Sequence, residues 1–357
     1  MNALILAPDS LQEGIFTIPR GEGRWTLNVV ELLAKAGYEV DIVNLSTMGL
    51  PQGEYKDKQP EGINWLIKTL DDCVNENRKY DVFFSHFPIH IENKPIWNKV
   101  QQIVKKALFG TWWPNSVYEW PTKWKTPFIP GTTIVTPFRG NGFVKTIPLG
   151  HVDKLGPSAF HKKRIIWTCK RPMTNDRGND KFRTNYFHLK ASLLAAKKGY
   201  PVDILCGGSD FILNTPDAPP VEAGLFGMAQ EILTQLKQNE NVKFYDYMPL
   251  DQFLYRIQQG SITFPLDCSS AIPHTVLFGQ VPLLWTDWGM EFTTKNVLNN
   301  LGANRKYGEY EEQQVIDRIF LLLEDEKYYN RQLDIIRNGC PVFTTALAIQ
   351  LLREAID

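Results

Sequence analysis

The sequence lacks the features that would give the protein a strong charge or a membrane span. Lysine and arginine together number 39, as do aspartate and glutamate, so the formal net charge is zero. No overall field draws the protein to nucleic acid or to an anionic membrane, and a polyanionic partner would have to be held by a local patch. No stretch approaches the roughly 20 apolar residues that a transmembrane segment requires.

Cysteine is scarce, and the familiar catalytic signatures are missing. The five cysteines stand singly with no C-x-x-C pair, which argues against a disulfide framework and against structural zinc. The first residues form a short apolar run with no basic residues before it, which predicts a β-strand and not a signal peptide. We therefore expect a cytoplasmic protein. No Ser-His-Asp triad, histidine cluster with metal-ligand spacing or Walker loop occurs, so no metal site and no cofactor are predicted.

The chain contains an alternation of strand and helix patterns. At 357 residues, with 43% hydrophobic and 22% charged residues, a two-domain globular α/β protein is expected. A first strand over 3–8 is followed by a glycine-rich loop and a helix over 25–37. That helix carries Trp25, Val29 and Leu32 on one stripe and ends at Gly37 as its C-cap. A second strand over 39–45 completes a unit typical of parallel sheets.

The alternation continues along the chain and then restarts. Helices are predicted over 63–76 and 97–108, with a buried strand over 80–88 between them. A second series opens at Arg164 and alternates strands and helices as far as residue 286, and three helical patterns close the chain. The fold class predicted is α/β, with two Rossmann-like domains that face each other across a cleft. The predicted domains are an N-terminal domain over 1–155, a C-terminal domain over 156–338 and a last helix over 339–357 that packs back on the N-terminal domain.

Two stretches of the N-terminal domain follow strands and are candidates for the site. Gly21 and Gly23 free the backbone for close approach to a ligand, and the helix that follows offers N–H groups to an anion. The motif is not G-x-G-x-x-G, and a plain flexible turn is the alternative interpretation. His86 ends the strand that begins at Asp81, where ligands of parallel sheets bind, although a structural histidine is the other possibility.

Two further stretches follow strands of the C-terminal domain. Arg171 and Arg177 flank a polar loop, and two guanidinium groups suit bidentate binding of a diphosphate as well as a solvated surface. Asp267, Ser269 and Ser270 end a later strand just before a helix. Their oxygens either cap that helix or accompany a phosphate or ribose bound at its N–H groups.

Residues 109–125 form an aromatic insert that fits neither a regular strand nor a helix. Trp112 and Trp113 belong to a set of four tryptophans that alternates with prolines and lysines. Such a stretch suits stacking on bases or sugar rings. A small hydrophobic cluster beneath a loop is the alternative.

Taken in order, these stretches resemble the GT-B glycosyltransferases. The nearest group is the retaining one that includes phosphatidylinositol mannosyltransferases and sucrose synthases. Gly21 and Gly23 stand where that group has a Gly-Gly loop, and Arg171 and Arg177 match the spacing of its two cations. The run from Asp81 to His86 is similar to its pattern at an N-domain strand end.

The resemblance implies a hexosyl or pentosyl transferase that uses a nucleoside-diphosphate sugar, such as a UDP-sugar, as donor and a hydroxyl as acceptor. It implies that Arg171 and Arg177 hold the diphosphate and that His86 lies beside the sugar. We add the hypothesis that Asp267, Ser269, Ser270 and Thr275 contact phosphate or ribose. The two glutamates that this group carries eight residues apart are absent here, with Asp267, Ser269, Ser270, His274 and Thr275 in that region instead.

Several alternatives remain open at this level. The acceptor side is assigned to Asp9, Glu22, Trp112 and Trp113, and DNA with a hydroxymethylated base, as in bacteriophage glycosyltransferases, is one possible acceptor. If the reaction inverts configuration, Asp9, Glu13 or Glu22 would be its general base. A GT-B-fold sugar-nucleotide epimerase is one rival function. The other is a non-catalytic protein that binds glycan or nucleic acid through a degenerate donor site.

Overall fold

The structure is a computed structural model. It describes residues 1–7, 21–44, 63–85, 94–110, 132–136, 144–148, 150–168, 173–174, 179–205, 211–214, 221, 224–246, 248–264, 271–283, 312–339 and 343–357. The chain divides into two compact units. The first comprises Met1–Lys154 with Phe343–Asp357, and the second comprises Leu155–Val342.

The first unit is a parallel sheet of seven strands with helices on both faces. The strand order is β3-β2-β1-β4-β5-β6-β7, and every neighbouring pair is parallel. Its strands are β1 (Asn2–Ala7), β2 (Glu39–Asn44), β3 (Ile63–Thr69), β4 (Tyr80–Ser85), β5 (Val104–Gly110), β6 (Thr132–Thr136) and β7 (Val144–Thr146). Its helices are α1 (Gly21–Lys35), α2 (Leu70–Asn75), α3 (Lys94–Ile103) and α10 (Thr345–Ile356).

Alternation along β1 shows how this sheet separates two cores. Ala3 and Ile5 lie in a core with residues of α1 and α10, whereas Leu4 and Leu6 lie in a core with residues of α2 and α3. Successive side chains of a strand point to opposite faces, so a strand that is covered on both faces is apolar throughout. This explains why the first strand appears in the sequence as an uninterrupted apolar run.

The second unit repeats the same plan with five parallel strands in the order β12-β10-β8-β13-β14. These strands are β8 (Ile165–Trp167), β10 (Val202–Leu205), β12 (Val242–Tyr245), β13 (Ile262–Phe264) and β14 (Val281–Pro282), and β9 (Met173–Thr174) pairs separately with β11 (Ile212–Leu213). Its helices are α4 (Asn179–Lys197), α5 (Leu225–Lys237), α6 (Leu250–Gln258), α7 (Ala271–Leu277), α8 (Glu312–Glu324) and α9 (Glu326–Gly339).

The two sheets confirm the predicted α/β class with two Rossmann-like domains. Of the helices that the structure describes, none is both long enough and apolar enough to cross a membrane. On α1 the predicted burial of Trp25, Val29 and Leu32 is confirmed, because all three are fully buried. Gly37 has φ of 91° just past the end of this helix, as predicted for its C-cap.

Two predicted helices are wrong in part. The helix predicted over 63–76 is strand β3 as far as Thr69 and becomes helical only in α2. The helix predicted over 97–108 ends at Ile103, and Val104–Gly110 forms strand β5. In both cases pairing with a distant strand overrides the local pattern: β3 pairs with β2, and β5 pairs with β4 and β6.

Candidate functional site

In the second unit, the strand order reverses at β8. The chain passes from β8 outward to β10 and β12 on one side, then returns to β13 and β14 on the other side. Trp167 is paired with Phe264 at the ends of β8 and β13, and the Thr168 N–H donates to the Phe264 carbonyl at 3.2 Å. Crevices at the carboxyl ends of two strands that diverge in this way are the usual ligand sites of such sheets.

The predicted donor residues follow these two strands in the sequence. Arg171 comes just after β8, and Asp267, Ser269 and Ser270 come just after β13. Arg177 precedes α4, which begins at Asn179. All five lie outside the described residues, so their roles stay predictions. What the structure provides is the parallel pairing of the strands that lead into them.

The first unit has the same arrangement at β1. This strand lies between β2 and β4, and Leu6 is paired with Ser85 near the ends of β1 and β4. Asp9 follows β1 and His86 follows β4, and both lie outside the described residues. Glu13 also lies outside the described residues, as does the part of the insert beyond residue 110, which includes Trp112 and Trp113.

The structure places Gly21 and Gly23 in a helix, whereas the sequence predicted a loop there. Helix α1 begins at Gly21 and not at Trp25, so Gly21, Glu22 and Gly23 form its first turn. The N–H groups of a first turn have no partner within the helix, and the weak helix propensity of glycine therefore costs little there. The backbone of these residues belongs to the positive end of the helix dipole, where an anion is stabilised.

Thr275 lies within α7, and its side chain is fully buried. Its carbonyl accepts a hydrogen bond from the Gln280 N–H at 2.9 Å. Its proposed contact with the donor stays a prediction. Among the described residues, no group of three or more His, Cys, Asp or Glu side chains could hold a metal ion.

A buried histidine beside the strand ends was not predicted from the sequence. His188 lies on α4 and is 4% exposed. Its ring stacks on Phe264 with centroids 4.6 Å apart and an interplanar angle of 7°, and Trp167 approaches edge-on at 6.5 Å. Burial lowers the pKa of His188 to about 3, so the imidazole is neutral at physiological pH.

His188 belongs to a row of buried polar side chains on the sheet-facing side of α4. Asn185, His188 and Ser192 are each less than a tenth exposed, at spacings that place them on one helix face. Ser192 accepts a hydrogen bond from Trp167 Nε1 at 3.0 Å and donates to the His188 carbonyl at 2.8 Å. The sequence of this stretch predicts only a helix, and nothing in it singles out this row.

A second unpredicted cluster lies in the first unit, around His151. His151 Nδ1 lies 2.8 Å from Asn28 Oδ1, and Lys35 Nζ lies 3.2 Å from His151 Nε2. A lysine ammonium can only donate, so Nε2 accepts and Nδ1 carries the proton that is donated to Asn28. Burial and the nearby Lys35 charge lower the pKa of His151 to about 4.

Comparison with known proteins gives the fold its context. No family model and no curated protein sequence matches the chain. An α-glucosyltransferase solved with UDP and a 13-mer DNA containing an HMU base superposes with a TM-score of 0.55 at 10% identity, and all of both chains is covered. The spinosyn forosaminyltransferase SpnP superposes with a TM-score of 0.50 at 14% identity over 100% of this chain and 99% of its own.

A third solved structure has a different activity in its description. A putative UDP-N-acetylglucosamine 2-epimerase from Listeria monocytogenes superposes with a TM-score of 0.50 at 12% identity over 98% of this chain and 94% of its own. At these identities the likeness concerns the fold alone. The chain therefore has the fold of the GT-B glycosyltransferases, with two Rossmann-like domains.

Proposed function

We propose that this protein is a glycosyltransferase that moves a sugar from a nucleoside-diphosphate donor to a hydroxyl acceptor. The observation that carries the proposal is the pairing of β8 with β13 at the point where the strand order reverses. Cationic side chains follow one of these strands, and short oxygen-bearing side chains follow the other. This is the combination that a diphosphate and its ribose require.

The chemistry assigns a role to each group. The acceptor oxygen bonds to the anomeric carbon while the bond from that carbon to the diphosphate breaks, and the diphosphate leaves with the bonding electrons. Arg171 and Arg177 stabilise the charge that develops on it. Asp267, Ser269 and Ser270 contact phosphate or ribose.

The acceptor side belongs to the first unit. His86 and Asp9 follow the paired strands β4 and β1, and the first turn of α1 offers N–H groups to donor phosphate or sugar. Glu22 lies in that same turn and is a candidate for taking the acceptor proton if the reaction inverts. With retention, as the resemblance to the retaining group implies, the proton passes instead to an oxygen of the departing diphosphate.

DNA with a hydroxymethylated base is the acceptor that we propose to test first. One protein of the same fold was solved with UDP and DNA that contains an HMU base. The tryptophans of the insert, among them Trp112 and Trp113, are suited to stacking on bases. Transfer of labelled sugar to a duplex with hydroxymethylated bases, compared with the unmodified duplex, measures this directly.

The donor is tested by thermal unfolding with UDP, dTDP and GDP. A ligand that binds only the folded protein at 100 times its Kd stabilises it by about 2.7 kcal/mol. We expect one nucleoside diphosphate to raise Tm, and we expect Arg171→Ala to abolish that shift while leaving the ligand-free Tm unchanged. Lys237→Ala, an exposed cation in the same unit, is the matched control. A full shift in Arg171→Ala would contradict the proposed diphosphate site.

A sugar-nucleotide epimerase is the second candidate, favoured by the superposition on a putative epimerase of the same fold. The two functions differ in their need for an acceptor. An epimerase converts a UDP-sugar to its epimer with no acceptor present, whereas a transferase releases UDP only when the sugar moves to an acceptor or to water. Chromatography of the products without acceptor distinguishes them.

A further inference from the structure

Two arginines of the second unit carry charges that no carboxylate of the described residues neutralises. Arg318 lies on α8 and Arg331 lies on α9. Neither takes part in an ion pair among the described residues. Arg318 is half-buried, and its Nη1 is buried without a hydrogen-bond partner in that part of the chain. An arginine keeps its proton inside a protein, so this group costs free energy that an apolar side chain would not cost.

Both arginines lie close to the side chain of Tyr328, near the start of α9. The guanidinium carbon of Arg331 lies 5.6 Å from the centre of the Tyr328 ring. Burial raises the pKa of Tyr328, and the charges of Arg318 and Arg331 act against that rise. Both cations are therefore near the phenol oxygen. No carboxylate is among the charges that act on it within the described part of the chain.

Two acidic side chains that are close to these residues in sequence have other partners. Asp317, which precedes Arg318 on α8, accepts a hydrogen bond from Gln313 Nε2 at 2.7 Å. Asp325, in the turn between α8 and α9, accepts from the Tyr328 N–H at 2.9 Å and thus caps the start of α9. The two packed helices bring two cations to one phenol, and like charges held in this way repel each other.

The backbone anchors of α9 place this cluster away from the predicted donor site. Tyr329, the neighbour of Tyr328, donates its hydroxyl to the Ser261 carbonyl at 2.7 Å and to the Gly279 carbonyl at 2.9 Å. Ser261 and Gly279 precede β13 and β14, so the start of α9 is fixed at the amino edge of the second sheet. The predicted donor residues follow the carboxyl ends of the strands.

We propose that Arg318, Arg331 and Tyr328 form a binding site for a phosphate group, either inorganic phosphate or a phosphate monoester. The two guanidinium groups offer N–H donors and the phenol offers an O–H, which together suit the several oxygens of a tetrahedral phosphate. Because Arg318 is only half-buried, the anion has access to its guanidinium from the solvent side. The bound anion neutralises the two cations. The site shares no residue with the proposed function and does not depend on it.

Thermal unfolding in phosphate, methyl phosphate, acetate and chloride at equal ionic strength tests the site. At about ten times its Kd, a bound phosphate is expected to raise the Tm of the wild type by about 3–5 °C relative to chloride. Acetate is expected to give no rise. A rise with inorganic phosphate alone assigns the site to the free ion, and a rise with methyl phosphate as well assigns it to phosphate monoesters. An equal rise with acetate would contradict the assignment to phosphate.

Arg318→Met separates a binding role from a structural one. Methionine fills a similar volume without a charge, so this variant is expected to keep or raise Tm in chloride and to lose the rise in phosphate. Arg256→Gln is the matched control. Arg256 also stacks on a tyrosine, with its guanidinium carbon 4.5 Å from the centre of the Tyr245 ring, but there the Asp203 carboxylate acts on the phenol. This variant is expected to keep the full rise in phosphate.

A spectroscopic measurement covers the case in which Arg318→Met does not fold. In wild-type protein labelled with ¹³C at the tyrosine Cζ, the resonance of Tyr328 is assigned by comparison with Tyr328→Phe. Titration with inorganic phosphate is expected to shift this resonance to saturation, because the anion binds beside the phenol oxygen. A Tyr328 resonance that does not move would contradict the proposed site.

The remaining outcomes separate this site from the donor site and from general salt effects. If the rise in phosphate persists in Arg318→Met but disappears in Arg171→Ala, phosphate binds at the proposed donor site and the inference is wrong. If the rise persists in both variants, it comes from exclusion of phosphate from the protein surface, and the inference is again wrong. If Arg318→Met lowers Tm equally in chloride and in phosphate, the arginine is purely structural.

Discussion

At the scale of single residues, His151 holds together parts of the first unit that are far apart in sequence. It bonds to Asn28 and Lys35 of α1, while the neighbouring Asp153 accepts a hydrogen bond from the Thr345 hydroxyl at 2.6 Å. Asn28 also donates to the Pro148 carbonyl at 2.6 Å. The contacts depend on a neutral imidazole, because a protonated ring cannot accept from the Lys35 ammonium.

Because these contacts depend on a neutral His151 ring, they predict how the free energy of unfolding changes with pH. The folded-state pKa of His151 is lowered to about 4, below the ordinary value of 6.5, so the unfolded chain binds the proton more tightly. The free energy of unfolding therefore falls as pH drops from about 6.5 towards 4. After allowance for partial exposure, this residue contributes roughly 1 kcal/mol of that fall between pH 7 and 5.

Urea unfolding of the wild type and of His151→Asn at both pH values measures the contribution. The variant is expected to be less stable at pH 7, and its stability is expected to fall less between pH 7 and 5 than that of the wild type. Other acid-sensitive groups, such as Asp81 and Asp153, are common to both proteins. Parallel pH profiles would contradict the prediction.

A pair of glycines provides a second prediction at this scale. Gly279 has φ of 76°, and a Cβ placed on it would lie 1.8 Å from the Pro157 carbonyl oxygen. Gly279→Ala is therefore expected to cost about 3 kcal/mol or more, since a backbone clash adds to a strained φ. Gly227 lies in α5 with open space around its Cβ position, so Gly227→Ala is expected to stabilise the protein by roughly 0.5–1 kcal/mol. Urea unfolding measures both, and similar effects at the two positions would contradict the argument.

At the scale of elements, α10 completes the core of the first unit. Ala348, Leu352 and Ala355 are buried in the same cluster as Trp25 and Val29 of α1. Its first residue is held by Val152, whose carbonyl accepts a hydrogen bond from the Thr345 N–H at 2.9 Å. The Thr344 hydroxyl caps its first turn by accepting from the Leu347 N–H.

Leucines on the two faces of α10 provide the test. Leu352 is fully buried, and Leu352→Ala is expected to cost about 2–4 kcal/mol through lost contacts and a cavity. Leu347 is 37% exposed on the same helix, and Leu347→Ala is expected to cost less than about 1 kcal/mol. Thermal unfolding compares the two variants, and equal losses would contradict the assigned packing of this helix.

The elements also show what local sequence could and could not predict. Strands β1, β2 and β4 were predicted, because each contains a short apolar run between turn signals. In the stretch 63–76, Ile63, Ile67, Leu70 and Val74 recur at helical spacing, so the pattern favoured a helix throughout. What makes the first half a strand is pairing with β2, which depends on residues that are distant in sequence.

At the scale of the whole molecule, each unit has its own hydrophobic cores. Of the described residues, those in the largest cluster all belong to the second unit, and the clusters around Ile5 and Leu4 belong to the first. Separate cores permit separate cooperative transitions. In calorimetry we expect two transitions, with Leu352→Ala lowering one of them. A bound nucleoside diphosphate is expected to raise the other. A single transition affected by both changes would contradict this prediction.

The site could be predicted only as far as strand ends can be read from sequence. The positions of Arg171, Asp267 and His86 after apolar runs predict that they lie at the carboxyl edges of two sheets, and this stays a prediction because all three lie outside the described residues. The burial of His188 against Phe264 and Trp167 was not predicted, because a helical pattern does not reveal contacts with distant strands. The helical start at Gly21 was missed since glycine usually signals a turn.

The division of the first unit into two sequence segments has a consequence for biosynthesis. Residues 343–357, which supply α10, leave the ribosome only after the second unit has been made. At 5–20 residues per second, the roughly 190 intervening residues take about 10–40 s to translate, and throughout that time the apolar side of α1 lacks its cover. The second unit can thus finish folding while the first still waits for its last helix, so a nascent chain stalled near residue 340 would expose the first unit to chaperones and proteases.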